Sequence, residues 1–217
     1  MAMKLIVGNK NYSSWSMRPW IAMRTFGLDF TDVVIPLYEP GSREKVLKYS
    51  PSGKVPCLID GDVTVWETLA ILDYLADKFP DIPMWPKDLK ARGFARAISS
   101  EMHAGFVALR NHCPMNMRRD RTEPREMTPD VTANVARIEA IWSEARSRFG
   151  AGGPLLFGAF SNADAMYAPV VSRFASYSIP VGDVSRRYMD ATMALPAWKE
   201  WEEAGRIEPW VMEGNEV

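Results

Sequence analysis

Three serines and a tryptophan, Ser13-Ser14-Trp15-Ser16, stand just ahead of Pro19 at the entrance to a stretch, 17–26, that reads as a helix stopped by Gly27. Proline is tolerated in the first turn of a helix, where its missing N–H has no partner to lose, so the N-cap is expected near Ser16. Ser16 would then do the capping and leave Ser13 and Ser14 without that task. The two are either ordinary loop serines or hydroxyls held beside the positive end of a helix, where an anion is stabilised. A thiolate is such an anion. Free thiols titrate near 8.5, and each unit of depression takes about 1.4 kcal/mol in favour of the charged form. A hydroxyl donor and a helix N-terminus could together supply roughly one or two units, so that a ligand's sulfur is the nucleophile and the protein only tunes it.

Two more places have the shape of a ligand site. Val55-Pro56 opens a short apolar run, and a proline there suits either an edge strand or a cis bond. The cis form would turn the Val55 N–H and C=O outward, unpaired, to receive an extended peptide as an added strand. Both forms leave Cys57 buried. Glu67-Thr68 precedes a helical pattern in which position 71 is Ile71 rather than Glu or Gln, so Thr68 is only a partial cap. As a binding pair, Glu67 would hold an ammonium while the Thr68 hydroxyl and the helix amides hold a carboxylate, the two ends of an α-amino acid.

The elements that must position these groups follow from pattern. Strands are expected at 3–7 and 31–35 around the first helix, a parallel pair with a right-handed crossover. A short helix at 42–49 follows. Asp60-Gly61-Asp62 then joins strands 55–59 and 63–66 as a hairpin. Leu69, Leu72, Leu75, Ala76 and Phe79 repeat at helical spacing, and three prolines between Pro80 and Pro86 form a linker. Beyond it only helices are expected, at 89–112, 131–149, 163–177, 184–194 and 197–204. Ser161-x-x-Asp164 reads as a capping box with Asp in place of Glu, and Pro169 is expected to kink the helix it starts. Arg118, Arg119, Arg121 and Arg125 read as a solvated face or loop, with an anionic-substrate funnel as the lesser alternative. Trp142, Trp198, Trp201 and Trp210 read as packing residues.

Composition narrows the classes. A net charge of −1 over 217 residues, balanced in both halves, argues against a nucleic-acid or anionic-membrane binder. Cys57, Cys113, His103 and His112 lack the spacing of a zinc site, so no metal is expected. No run of about 18 apolar residues occurs, and the expected compartment is the cytoplasm.

Ser-Ser-x-Ser, then Ser50-Pro51-x-Gly53-Lys54-Val55-Pro56, Glu67-Thr68, the linker and Ser161-x-x-Asp164 occur in one order. That order resembles the soluble glutathione transferase family, serine type, similar to its zeta- and tau-like bacterial members. The resemblance implies an α/β thioredoxin-like N-terminal domain (βαβ-α-ββα) at 1–82 and a linker with the start of a long helix at 83–94. It further implies an all-α helical bundle at 95–217 that carries the electrophile site, and a homodimer. It implies glutathione as co-substrate. Ser13 matches the family's Ser-x-x-Ser-x-Arg pattern with Ser16 and Arg18 and is the expected partner of the glutathione sulfur, with Ser14 the other candidate. Trp15, Lys54, Val55, Pro56, Glu67 and Thr68 are the expected glutathione-binding residues. The expected reaction is thiolate attack on a small hydrophobic electrophile walled by Met102, His103, Phe106 and Arg110. Zeta-like members carry a cysteine where this chain has Trp15. A glutathione-dependent isomerase of the maleylacetoacetate type and a non-catalytic ligand binder are the alternatives.

Overall fold

In a computed structural model of the chain, residues 2–119 and 125–217 are described. Met3–Val7 (β1) has one exposed position in five, as expected of a strand covered on both faces. It pairs in parallel with Phe30–Val34 (β2), and the crossover helix Ser14–Thr25 (α1) lies between them in sequence. On its other side β1 runs antiparallel to Cys57–Asp60 (β3), which turns at Gly61 and Asp62 into Val63–Trp66 (β4), giving the order β2-β1-β3-β4. Gly61 has φ +63°, the left-handed backbone that an Asp-Gly turn needs. Ser42–Leu47 (α2) covers one face through Val46, which packs with Ile6, Ile35 and Cys57. Cys57 is buried, as its strand position requires.

Thr68–Lys78 (α3) and α1 pack on the opposite face, where one apolar cluster runs on into the helical half. That half comprises Leu89–Ala104 (α4), Val107–His112 (α5), Pro129–Phe149 (α6), Asn162–Ser176 (α7), Asp183–Met193 (α8) and Pro196–Ile207 (α9). Around Trp142 of α6 stand Tyr167 and Phe174 of α7 and Tyr188 of α8, ring centroids 4.8–5.8 Å away. Trp198 and Trp201 are buried as well, and Trp201 of α9 meets Trp20 of α1 at 5.1 Å. Trp210 is only half-buried, in the tail after α9.

Two helix boundaries depart from expectation. The stretch 89–112 is two helices, broken where Gly105 is extended and Phe106 adopts φ +56°. A Cβ on Gly105 would lie 2.8 Å from the Glu101 carbonyl, so only glycine fits this turn. And α1 begins at Ser14, not after Ser16, which puts Pro19 inside the helix. Pro19 has no N–H to offer the carbonyl four residues back, that of Trp15. The Thr68 hydroxyl donates to that carbonyl instead, at 3.1 Å from another helix. The capping box at Ser161 forms as read, with Asp164 accepting from the Ser161 N–H at 2.8 Å and its hydroxyl at 2.9 Å. Pro169 lies within α7, which runs through it.

Candidate functional site

Ser13 is the N-cap position of α1, yet its side chain makes no cap hydrogen bond. Its Oγ donates to Ser16 Oγ at 2.8 Å, and Ser16, fully buried, also accepts from the Gly8 N–H at 3.0 Å. Ser16 is therefore an anchor for Ser13 and for the end of β1 rather than the cap. With the N-cap hydroxyl turned elsewhere, the first-turn amides of α1 keep their positive end free of a side-chain acceptor. Gly8 is needed for this packing. A Cβ there would lie 2.6 Å from Leu37 Cδ1 and 3.1 Å from Ser13 Oγ.

The serine loop is held from the helical half. Asn11, fully buried, donates to Asn116 Oδ1 at 3.0 Å and accepts from the Arg118 N–H at 3.0 Å. The Glu208 carboxylate accepts from the main-chain N–H groups of Lys10 and Asn11, at 2.7 and 3.0 Å. Arg118 donates to the Glu208 and Trp210 carbonyls, both at 2.7 Å, and to Tyr12 Oη at 2.6 Å. Arg119 donates to the carbonyls of Ser176 and Val217. These two arginines lie in a loop, one of the two readings of the sequence, and fasten the C-terminal tail across the serine loop. Nothing in the sequence near them signals this, because these acceptors lie 57 to 106 positions away. Arg121 lies outside the described residues.

Ser13 and Trp15 line two cavities at once. The first, of about 740 Å³, is bounded by Leu37, Tyr38, Arg43, Gly53, Lys54 and Val55 among others. Val55 precedes a cis proline, Pro56, and no hydrogen bond within the described residues engages its main-chain N–H or C=O. Arg43, which sequence reasoning missed, joins Lys54 as a second cation in this cavity. Pro56 itself is buried.

Glu67 and Thr68 line neither cavity but sit next to Trp15. Glu67 has φ +76°, a left-handed conformation that is strained for a residue with a Cβ and is often retained at functional sites. Its carboxylate is 3.7 Å from His103 Nε2, and the His103 ring meets Trp15 edge-on at 5.1 Å. The Thr68 hydroxyl proton is committed to the Trp15 carbonyl, so a ligand carboxylate here would find only backbone N–H donors at the start of α3.

The second cavity, of about 590 Å³, is lined by Tyr12, Ser14, Arg110, Asn111, Arg173 and the tail residues Met212, Gly214 and Asn215, besides Ser13 and Trp15. Of the four wall residues expected from sequence only Arg110 lines it. Met102 shares the buried face of α4 with Ala95 and Ile98, Phe106 is buried at the break after Gly105, and His103 faces Glu67. The wall is polar and cationic where an apolar one was expected, since it is made by α5, α7 and the tail, three segments that only the topology brings together.

A mixed four-stranded sheet with a cis-proline just before its third strand, continued by one apolar core into a helical half, defines a two-domain protein whose first domain is thioredoxin-like. The family model for the glutathione S-transferase N-terminal domain matches residues 12–78, and that for the C-terminal domain matches residues 128–204. The chain belongs to the glutathione S-transferase family. It is similar to a glutathione S-transferase of Triticum aestivum, 28% identical over 191 residues covering 86% of this chain and 87% of the relative. It is also similar to the maleylacetoacetate isomerase of Rattus norvegicus, 28% identical over 171 residues, 77% and 76% of the two chains. In structure it resembles a Burkholderia glutathione transferase homolog solved with bound glutathione, with a TM-score of 0.71 at 22% identity, covering 95% of this chain and 99% of that one. No helix among the described residues is long and apolar enough to cross a membrane.

Proposed function

We propose that this glutathione transferase binds glutathione in the first cavity and that the Ser13 hydroxyl donates to its sulfur, holding it as a thiolate for attack on an electrophile in the second. One observation carries the reading: Ser13 stands where the two cavities meet, at the uncapped start of α1. The Val55 main chain pairs with the cysteinyl backbone as an added strand, Lys54 and Arg43 face the glycyl carboxylate, and Glu67 takes the γ-glutamyl ammonium. Ser16, already bonded to Ser13, can turn its own proton toward Ser13 Oγ and free the Ser13 proton for sulfur. Residues 1–82 supply the glutathione side, 83–94 the connection and 95–217 most of the electrophile side. The same reading includes a homodimer. The polar second wall favours an electrophile that carries a polar group over a purely hydrophobic one.

The test is Ser13→Ala beside Ser14→Ala, read by thiolate absorbance of bound glutathione across pH and by turnover of a chlorinated nitroarene. Loss of the donor should raise the bound thiol's pKa by about one unit and lower kcat/KM by about tenfold or more, with glutathione affinity largely kept. An unchanged thiol pKa in the Ser13 variant would remove Ser13 from the role. Glutathione binding without turnover across a broad electrophile panel would favour the non-catalytic alternative.

A further inference from the structure

Three arginines gather behind the serine segment. Arg18 is fully buried and Arg173 nearly so, and Arg110 is partly buried on α5. The Arg18 and Arg110 guanidinium carbons lie over the Trp15 ring, at 4.2 and 5.4 Å from its centroid. Arg18 donates only to main-chain carbonyls, those of Met166 at 2.9 Å and Ser14 at 3.1 Å, and its Nη2 has no partner. Arg173 donates to the carbonyls of Cys113 and Pro169, and the buried Nε of Arg110 has no partner. No carboxylate among the described residues lies within ion-pair distance of any of the three. Of the tail's acids, Glu208 is engaged by the N–H groups of Lys10 and Asn11 and Glu216 by Tyr12 and Asn116, while Glu213 is exposed and forms no ion pair with the three.

Buried charge is ordinarily paired, because desolvation is costly without a counter-charge. Here burial pulls all three arginines down from the usual guanidinium value. Arg173 falls to about 10, and both it and Arg18 are lowered further by neighbouring cations in the cluster. A guanidinium keeps its proton even when buried, so the three count as cations. The result is a positive potential that no carboxylate of the described residues pairs with, held between low-dielectric walls and opening into the second cavity through Arg110 and Arg173.

Resting on the reading that glutathione occupies the first cavity, we propose that the second cavity holds an anionic group of the electrophile, a carboxylate, between Arg110 and Arg173, with Arg18 behind Trp15 adding its field. The electrophile is thus a carboxylic acid whose reactive carbon lies toward Ser13 and whose carboxylate lies toward α5 and α7.

The test needs no turnover. Two glutathione conjugates, S-(4-carboxy-2-nitrophenyl)glutathione and its 4-carbamoyl counterpart, differ by one charge at nearly equal shape. Calorimetric titration of the full chain should show the carboxylate conjugate binding about 10- to 100-fold more tightly. In Arg110→Gln that ratio should fall toward one, and Arg110→Lys should restore part of it. Equal affinities in the native protein, or an undiminished ratio in a folded Arg110→Gln protein, would overturn the proposal while leaving the glutathione site intact. Failure of glutathione and both conjugates to bind would overturn the glutathione reading and this one with it.

Discussion

Thr68→Val is the most informative single substitution, because it asks whether a hydroxyl on one helix completes another. Thr68 is fully buried, and its Oγ1 lies 3.1 Å from the Trp15 carbonyl that Pro19 leaves without a helical donor. Valine keeps the shape and deletes the donor. An acceptor left unpaired in a buried setting costs about 1–3 kcal/mol, and the methyl gained returns part of that, so a net loss of about 1–2 kcal/mol is expected. Pro19→Ala supplies the missing N–H from within α1. In that background the carbonyl is already satisfied, and Thr68→Val should cost less, with a coupling energy of about 1 kcal/mol. Urea unfolding of the four proteins at neutral pH measures the cycle. Additivity within about 0.3 kcal/mol would refute the reasoning. The same proteins also judge the rival role of Thr68 as the hydroxyl that holds a ligand carboxylate. In that role Thr68→Val weakens glutathione binding about tenfold whatever stands at position 19. With the hydroxyl proton committed to Trp15, affinity should change less than about threefold.

A Cβ on Gly205 would lie 3.0 Å from the Asn11 nitrogen and 3.1 Å from Asn11 Cα, so Gly205→Ala must push α9 off the serine loop. A loss of about 1 kcal/mol is expected by denaturation, with a fall in kcat/KM larger than the change in glutathione affinity. Glu208→Ala strands the Lys10 and Asn11 N–H groups, and should cost about 1–3 kcal/mol together with earlier proteolysis of the tail. Burial pushes the Asp164 carboxyl up to about 6, against the hydrogen bonds it accepts from Leu156 and Ser161. The folded state therefore binds this proton more tightly than the unfolded chain does. Asp164's contribution to stability is largest below its unfolded value and is lost as pH rises toward about 6. Asp164→Asn, less stable overall because the capping box is impaired, should lack that decline when unfolding midpoints are compared from pH 4 to pH 7.

What could be read from sequence was what local chemistry decides. Asp60-Gly61 dictates its own turn, and Ser161 with Asp164 closes its own cap, since each partner lies within three residues. The start of α1 was misjudged because the rule that confines proline to the first turn assumes that no distant donor replaces the lost hydrogen bond. Thr68 is such a donor, 53 residues away. The lining of the second cavity is not legible for a related reason. Helical spacing on 89–112 marks which residues share a face, but the chain breaks at Gly105, so Met102 stays on the buried face of α4 while Arg110, on the separate helix α5, reaches the cavity.

These departures converge on one loop. Residues 10–16 receive hydrogen bonds or close packing from the end of β1 through the following Gly8, from α3 through Thr68, from the segment before α6 through Asn116 and Arg118, and from α9 and the tail through Gly205 and Glu208. Only the first two lie in the sheet half. The hydroxyl proposed to face the sulfur is thus aimed largely by the helical half, the same half that supplies Arg110 and Arg173 to the second cavity. Substitutions that reshape the electrophile wall near Asn116, Arg118 or Gly205 should therefore move the thiol's pKa as well as the substrate preference. Arg110 makes no hydrogen bond to this loop but lies over the Trp15 ring and carries charge into the second cavity, so Arg110→Lys, which keeps that charge, should move preference with little change in the thiol's pKa.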